Sequence, residues 1–280
     1  MINILSTLQP DFAAKFDRIV DARREADGEV AGQVADILRS VKQRGDAALV
    51  EYSQRFDGYT LADDADWVIT RERCEQAYHE LAPDLRDALE LAAARIRAYH
   101  EAQLPENRDY VDAAGVRLGA IWRPVDAAGL YVPGGRAAYP SSLLMNAIPA
   151  RVAGVERLVV VTPTPKGQSN PMVLAAAHIA GVDEIWRVGG AQAVGALAYG
   201  TQRIRPVDVI TGPGNAWVAE AKRQLYGVVG IDMVAGPSEI LVVADGRNDP
   251  DWIAADLLSQ AEHDPTSQSI LITDDAGNRS

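Results

Sequence analysis

The sequence predicts an α/β fold in which Rossmann-like parallel sheets are flanked by helices. Three observations support this prediction. From Gly129 onward, short apolar segments alternate with segments of helical periodicity. The apolar segments, such as the run 158–161, lack polar alternation, which is typical of parallel strands that are covered by helices on both faces. The loops that follow these segments are rich in Gly and Pro, which is typical of strand-to-helix turns.

A helical N-terminal region, residues 1–125, is predicted to precede the regular part and to contribute to the first domain. Its first long helix carries apolar residues at three- and four-residue spacing: Val34, Ile37, Leu38 and Val41. Gly45 is placed to end that helix. A second helix is predicted over 83–104 and a short strand over 67–70. Residues 109–132 alternate β-type runs with Gly and Pro, which predicts a hairpin that leads into the next domain.

The regular part is predicted to form one Rossmann-like domain over 126–235 and the start of another over 236–280. The predicted strands are 129–132, 157–162, 184–188, 207–211, 239–244 and 269–273. The predicted helices are 141–153, 171–180, 191–199, 215–225 and 250–263. The segment AGPSE at 235–239 interrupts the rhythm of the pattern. The sequence therefore predicts two related domains, of which the second is incomplete at residue 280.

Composition predicts an ordinary soluble globular protein. The chain has 280 residues, with 27 Lys and Arg against 39 Asp and Glu, so its formal net charge is −12. Hydrophobic residues make up 48% and charged residues 24%, which argues against disorder. The acidic balance disfavours a nucleic-acid partner, because neutralising phosphates requires clustered Lys and Arg.

Cysteine content and the N-terminal sequence predict a cytoplasmic protein. Cys74 is the only cysteine in the sequence, so no internal disulfide can form. The N-terminal residues lack the long apolar core of a signal peptide. The longest apolar runs fall far short of the roughly 20 residues that span a bilayer. We therefore expect no membrane partner.

Loops that follow predicted strands are the expected ligand site. They read YVPGG (131–135), VGGAQA (188–193), TGPGN (211–215) and AGPSE (235–239). In open α/β sheets, ligands bind beyond the carboxyl ends of the strands, where glycines let backbone N–H groups approach the ligand. None of these loops reads G-x-G-x-x-G, so the standard dinucleotide fingerprint is absent. Tight strand-to-helix turns remain the alternative interpretation.

Side chains in these loops have both a structural and a ligand-binding interpretation. Asn215 can cap a helix that begins at Ala216, or it can bind a ligand. Gln192 lies in the first turn of a predicted helix, where its amide either reaches a ligand or faces solvent. Tyr131 ends an apolar strand and can pack in the core with its hydroxyl hydrogen-bonded. Ser238 can be an ordinary cap before the next strand.

The segment 249–265 predicts a helix whose last turn carries Gln260 and His263 on one face. An imidazole is a common metal ligand and an amide oxygen can complete a shell, but two ligands do not make a site. The alternatives are an acid–base pair of Glu262 and His263, or a solvated polar helix end. The remaining histidines occur singly and are expected to be structural: His79, His100 and His178.

Seven blocks of sequence, in the order of the family pattern, make the chain resemble the histidinol dehydrogenase family. These blocks are RGDAAL (44–49), GLYVPGG (129–135), YPSSLLMNAIPA (139–150), RVGGAQAVGALAYGT (187–201), TGPGNAWVAEAKRQ (211–224), IDMVAGPSEILVVAD (231–245) and LLSQAEHDPTSQSILIT (257–273). Together they span nearly the whole chain.

The resemblance implies a fold, a reaction and cofactors. It implies a homodimer of intertwined subunits, each built on two Rossmann-like domains. It also implies oxidation of L-histidinol to L-histidinaldehyde and then to L-histidine, with two NAD+ used in succession and one zinc ion per subunit at the substrate. The chain is therefore expected to belong to an NAD-dependent, zinc-containing oxidoreductase of histidine biosynthesis.

Site residues follow from the same resemblance. The positions that match NAD contacts are Tyr131, Gln192 and Asn215. The positions that match substrate contacts are Ser238, Gln260 and His263. Gln260 and His263 also match two zinc ligands, so the resemblance favours the metal interpretation over a solvated helix end.

The sequence departs from the family pattern in its length. The resemblance implies that the Glu–His pair for acid–base chemistry, and the remaining Asp and His zinc ligands, would follow residue 280. We therefore expect no catalytic residue among these residues, and little or no activity of the chain alone. One alternative is a non-catalytic dimerising or ligand-binding fragment. Another is a related zinc- and NAD-dependent dehydrogenase of a different small polar alcohol.

Overall fold

The computed structural model describes residues 3–134, 139–234, 239–262 and 267–275, without the side chains of residues 22–29. Its contacts divide the chain into two compact units, residues 1–234 and 235–280. Each unit has its own parallel strands. The division of the chain into domains after residues 125 and 235 stays a prediction.

The N-terminal region is helical over most of its described length. Its helices are α1 (Phe12–Arg44), α2 (Asp46–Tyr52), α3 (Asp64–Trp67), α4 (Arg71–Glu80) and α5 (Pro83–Glu101). A π-helical turn, Ser53–Asp57, continues α2. Helix α1 ends before Gly45, as predicted, because Gly45 takes a φ of 55° that residues with a Cβ disfavour. The apolar stripe of α1 is buried, as its spacing predicts.

The strand predicted over 67–70 is wrong, because Trp67 ends α3 instead. Asp63 and Asp66 form a capping box that holds this short helix. Only Val68 makes a β-bridge, antiparallel to Trp186. The tight turn of α3 leaves too few extended residues to form a ladder.

The predicted hairpin forms before the parallel sheet. Strand β1 (Arg108–Val111) pairs antiparallel with β2 (Arg117–Ala120). Asp112 stabilises the turn, since its Oδ1 accepts the backbone N–H groups of Ala114 and Val116 at 2.9 Å each. Residues 129–131, at the end of the segment that predicted the hairpin, lie in the first strand of the parallel sheet, in agreement with the strand predicted over 129–132.

The larger unit contains the predicted parallel sheet. Its strands are β3 (Ala127–Tyr131), β4 (Arg157–Val161), β5 (Glu184–Trp186), β6 (Val209–Thr211) and β7 (Gly230–Ile231), in the spatial order β5-β4-β3-β6-β7. All neighbouring pairs are parallel. This order is that of a doubly wound Rossmann-like sheet and confirms the predicted fold class.

Helices cover this sheet on both faces, as its apolar strands predict. The helices between the strands are α6 (Pro140–Ala153), α7 (Pro171–Ala180), α8 (Gly190–Tyr199) and α9 (Ala216–Leu225). Along β4, Val159 and Val161 join a core with α1, α8 and α9, whereas Leu158 and Val160 join a core with α5, α6 and α7. None of the described helices combines the length and apolar character that a membrane crossing requires.

The smaller unit is a strand–helix–strand segment, and its assignment as the start of a second Rossmann-like unit stays a prediction. Strand β8 (Glu239–Ala244) runs parallel to β9 (Gln268–Thr273), and α10 (Pro250–Ala261) connects them. Asp249 caps α10 by accepting the N–H of Asp251, and Pro250 occupies the first helical position. The hydroxyl of Ser269 donates to the carbonyl oxygen of Leu257 at 2.7 Å, which ties β9 to the helix.

Gly129 offers a test of the central packing in the sheet. A Cβ there would lie 2.8 Å from Cδ1 of Leu197, so Gly129→Ala is expected to lower the free energy of unfolding by about 1–3 kcal/mol through overpacking. As a matched control, Gly32→Ala on α1 meets no atom within 4 Å and is expected to raise stability by about 0.5–1 kcal/mol. Urea unfolding of both variants checks this. A neutral or stabilising Gly129→Ala would contradict it.

Candidate functional site

The candidate site lies at the carboxyl ends of β3 and β6. Strand β3 pairs with β4 on one side and with β6 on the other, so the chain order of the sheet reverses between β3 and β6. Loops that leave such a switch point diverge and form the crevice in which open α/β sheets bind ligands. The loops YVPGG and TGPGN begin at these two strand ends.

The two loops touch where Gly212 meets β3. Gly212 has a φ of 112°, and a Cβ on it would lie 2.2 Å from the carbonyl oxygen of Tyr131. Only glycine tolerates both the backbone conformation and this approach. Residue 212 therefore has a fixed position just after β6 and against the end of β3.

Tyr131 connects the end of β3 to the beginning of α8. Its hydroxyl oxygen accepts the backbone N–H of Gly190 at 3.0 Å. The side chain is buried, and burial raises its pKa to about 12, so the hydroxyl keeps its proton at neutral pH. The predicted packing with a hydrogen-bonded hydroxyl is confirmed. The same bond places Tyr131 beside the VGGAQA loop.

Gln192 is buried in the first turn of α8, with 1% of its surface exposed. The alternative that its amide faces solvent is therefore wrong. Its Oε1 lies over Gly190, since a Cβ on that glycine would be 2.7 Å from the oxygen. Gln192 and Tyr131 thus meet at the same residue, which brings together two of the predicted NAD contacts.

Asn215 caps α9, as one interpretation of the sequence predicted. Its Oδ1 accepts the backbone N–H of Val218 at 3.1 Å. The residue is exposed, and its side-chain NH2 group makes no hydrogen bond within the described part of the chain. A cap that uses only the oxygen leaves the amide donors facing outward, so capping and ligand binding are compatible.

Two threonine hydroxyls at this edge are functional candidates that sequence reasoning missed. Oγ1 of Thr211, at the end of β6, and Oγ1 of Thr164, in the loop after β4, are buried without a hydrogen-bond partner among the described residues. Burying a hydroxyl in this way is unfavourable unless a partner satisfies it. The available signal was a polar residue at the end of an apolar strand, as in VIT at 209–211.

Asp57 is a second kind of residue that sequence reasoning missed. It ends the π-helical turn, and its Oδ2 is buried with no hydrogen-bond partner in the described part of the chain. Burial raises its pKa to about 6, and its charge contributes to the raised pKa of Tyr131. Nothing in the sequence RFDG separates this aspartate from an ordinary turn residue.

The predicted substrate and zinc residues belong to the smaller unit. Gln260 lies in the last turn of α10, and its Nε2 donates to Oγ of Ser267 at 3.4 Å. Ser238 and His263 lie outside the described residues. Glu262 is the residue that follows α10. Within the described ranges, no group of three or more His, Cys, Asp or Glu residues could hold a metal ion. The zinc site stays a prediction.

A cavity of about 700 Å³ lies away from these loops, beside residues that begin the strands. Its walls carry more acidic than basic residues, and two of its arginines share one carboxylate. Arg157 donates to Glu184 at 2.7 Å, and Arg205 approaches the same carboxylate at 3.5 Å. These residues form a structural ion-pair network, so the cavity is a poor candidate for the ligand site in spite of its size.

Comparison with known proteins gives concordant results. The family model for histidinol dehydrogenase matches residues 20–278. The histidinol dehydrogenase of Zymomonas mobilis subsp. mobilis is 64% identical over 274 residues, which cover 98% of this chain and 64% of the relative. The histidinol dehydrogenase of Ruegeria pomeroyi is 60% identical over 276 residues, which cover 99% of this chain and 64% of the relative. A crystal structure of histidinol dehydrogenase from Elizabethkingia anophelis matches with a TM-score of 0.78 and 37% identity, covering 88% of this chain and 57% of that one. The chain thus spans less than two thirds of these relatives.

Asp57 predicts a pH dependence of stability. Its pKa rises from 3.8 in the unfolded chain to about 6 in the fold, so the folded state binds more protons between about pH 4 and 6 and loses stability as the pH rises through that window. Asp57→Asn is therefore expected to stabilise the protein at pH 7.5 by roughly 1–2 kcal/mol, after allowance for solvent screening, and to change little at pH 4.

Urea unfolding at the two pH values measures this effect. Asp87→Asn, which changes an exposed carboxyl on α5, is the matched control and should show no such difference between the two pH values. An equal effect of Asp57→Asn at both pH values would contradict the assignment of a buried carboxyl.

Proposed function

The chain belongs to the histidinol dehydrogenase family, and we propose that it forms the NAD-binding part of an enzyme that oxidises L-histidinol to L-histidine by way of L-histidinaldehyde. Membership of the family supports an oxidoreductase of histidine biosynthesis. Because the chain spans 64% of two close relatives, the two-step reaction with two NAD+ is proposed for the whole protein.

The single observation that supports NAD binding is the arrangement at the switch point between β3 and β6. Gly212 lies against the carbonyl of Tyr131, and Asn215 presents amide donors at the head of α9. Thr211 has a buried hydroxyl that finds no hydrogen-bond partner among the described residues. A dinucleotide brings a pyrophosphate and ribose hydroxyls, which need donors of this kind beside a helix N-terminus. The described residues therefore fit NAD.

In this proposal, the contacts of NAD in the larger unit are Tyr131, Gln192 and Asn215. NAD supplies the hydride acceptor when it is bound. Tyr131 stays neutral at physiological pH because its pKa is about 12, so it acts as a hydrogen-bonding group and not as a base. Gln192 is held against Gly190 and is thereby preorganised, which reduces the entropy lost when a ligand binds.

For zinc, we propose Gln260 and His263 as two ligands of one ion per subunit, with Ser238 as a further substrate contact. The support is the position of Gln260 in the last turn of α10, three residues before His263. An imidazole nitrogen is a usual zinc ligand, whereas an amide oxygen is a weaker one. The pair alone is too small a ligand set for a tetrahedral site. Zinc would supply orientation of the amine and imidazole of histidinol.

The proposal also includes assembly and location. We infer a cytoplasmic homodimer, without nucleic-acid or membrane partners, on the strength of the family and the acidic composition. Two other functions are alternatives: a non-catalytic dimerising or ligand-binding piece, and a dehydrogenase of another small polar alcohol. The identity of 64% to a histidinol dehydrogenase favours histidinol as the substrate.

Asn215 allows its two roles to be separated by experiment. Asp caps helices as well as Asn does, so Asn215→Asp is expected to change the free energy of unfolding by less than about 0.5 kcal/mol. It removes the amide donors and adds a negative charge beside the pyrophosphate, so the Kd for NAD+ is expected to rise about tenfold or more. Isothermal titration calorimetry and urea unfolding measure the two quantities.

Asn215→Ala is the matched control, because it removes both roles. We expect it to lower stability by about 1 kcal/mol and also to weaken NAD+ binding. A Kd for Asn215→Asp equal to that of the unchanged chain would leave Asn215 with its capping role only.

Turnover of histidinol tests the reaction itself. NADH formation with L-histidinol is expected from the Zymomonas mobilis relative, and little or none from these 280 residues alone. The reason is that Gln260 and His263 supply only part of a four-ligand zinc site, and no acid–base pair is proposed within the chain. Zinc content after dialysis should be substoichiometric. Turnover near that of the relative would overturn this part of the proposal.

A further inference from the structure

Lys222 is a charged residue on the apolar face of α9. Only 2% of its surface is exposed, and it lies among residues buried at helical spacing: Val218, Ala221 and Leu225. A lysine on such a face is unfavourable unless its ammonium group is paired and hydrogen-bonded. The apolar spacing of α9 marks position 222 as a buried one in the sequence. It does not reveal the partner of the lysine, which lies on a different element.

Among the described residues, the ammonium group of Lys222 has two partners, and both lie beside the ends of β6 and β7. Its Nζ forms an ion pair with Asp232, the residue after β7, and donates to the carbonyl oxygen of Gly212 at 3.0 Å. Asp232 in turn accepts the backbone N–H of Gly212 at 2.9 Å through Oδ2. One ion pair therefore holds both the N–H and the C=O of Gly212.

Gly212 is the residue that sets the position of the TGPGN turn, residues 211–215. It touches the carbonyl of Tyr131 on β3, and three residues later Asn215 begins α9. A rotation of either peptide plane at Gly212 would break one of its two bonds to the ion pair. The turn is thus held at one end by the Lys222–Asp232 pair and at the other by the cap of Asn215 on Val218.

We propose that Lys222 and Asp232 are positioning residues for NAD binding. They hold the TGPGN turn so that Asn215 and the first N–H groups of α9 face the dinucleotide, and neither of them touches it. A buried ion pair adds little stability compared with apolar residues of similar size, so its role here is to fix the geometry of the turn. The inference rests on the proposed binding of NAD in this crevice.

Lys222→Met tests the inference, because it keeps the bulk of the side chain and removes the charge. In the folded variant we expect the Kd for NAD+ to rise about tenfold or more, because the turn loses its fixed position. Asp232→Asn is expected to have a similar effect, and the double variant should be no worse than the single ones, since the pair acts as a unit. Titration calorimetry measures binding, and circular dichroism confirms folding.

Leu225→Val is the matched control on the same buried face of α9. It should lower stability and leave the Kd for NAD+ unchanged. If Lys222→Met does not fold, Asp232→Asn provides the test instead, because the side chain of Asp232 is partly exposed and its replacement disturbs the core less. An unchanged Kd in every folded variant of the pair would overturn the proposal.

Amide hydrogen exchange separates this proposal from the proposed function. Exchange at Gly212, measured by NMR without NAD+, should be slow in the unchanged chain and faster in Lys222→Met and Asp232→Asn. If the unchanged chain binds no NAD+, the proposed function fails, whereas the exchange data still show whether the pair holds the turn. Equal exchange at Gly212 in all chains would overturn the positioning role.

Discussion

The burial of β3 and β4 on both faces is the constraint on which the rest of the larger unit depends. Leu130 on β3 and Leu158 on β4 are fully buried in one core, while Val159 and Val161 are buried in the other. Each such side chain contributes about 1.5–3 kcal/mol when it is removed from water, so a sheet of this kind cannot leave a face uncovered. Helix α1 is separated from β3 in the chain by α2 to α5 and the hairpin, yet it covers one face of the sheet for this reason and packs against α8 and α9.

The same burial determines where the functional groups lie. Because the strands are parallel and their helices return on the two faces, all strand-to-helix loops leave the sheet at one edge. Tyr131 belongs both to the core and to this edge: its ring is buried with α8 and α9, and its hydroxyl accepts the N–H of Gly190. A change in packing around that ring would therefore move the head of α8, together with Gln192. In this protein the core and the candidate site share residues, so stability and the geometry of the candidate site are physically linked.

The sequence predicted the features that depend on local pattern. Apolar runs located β3 and β4, and the cap preference of Asn215 located the start of α9. Strand β7 escaped prediction because two residues carry no periodicity. The ion pair of Lys222 with Asp232 was not predicted because it forms between a helix and the end of a strand. The raised pKa of Asp57 was not predicted because it depends on burial by the fold. The placement of Gln260 in the last turn of α10 followed from sequence alone, since Pro250 and its cap define where that helix begins.

To bind the anionic dinucleotide proposed above, a chain with a net charge of −12 would have to overcome an unfavourable overall field. The described groups at the switch point offer local dipoles for this purpose: a helix N-terminus, the amide of Asn215 and the hydroxyl of Thr211. Lys222 does not oppose the field directly, because Asp232 neutralises its charge. Lys222 acts through the orientation that it gives to the peptide groups of Gly212, and not through its charge. The turn and α9, whose dipoles face the site, follow Gly212 directly in the chain. Dipoles act over short distances and depend steeply on orientation, so a site built on them needs a rigid support, and the buried ion pair provides one.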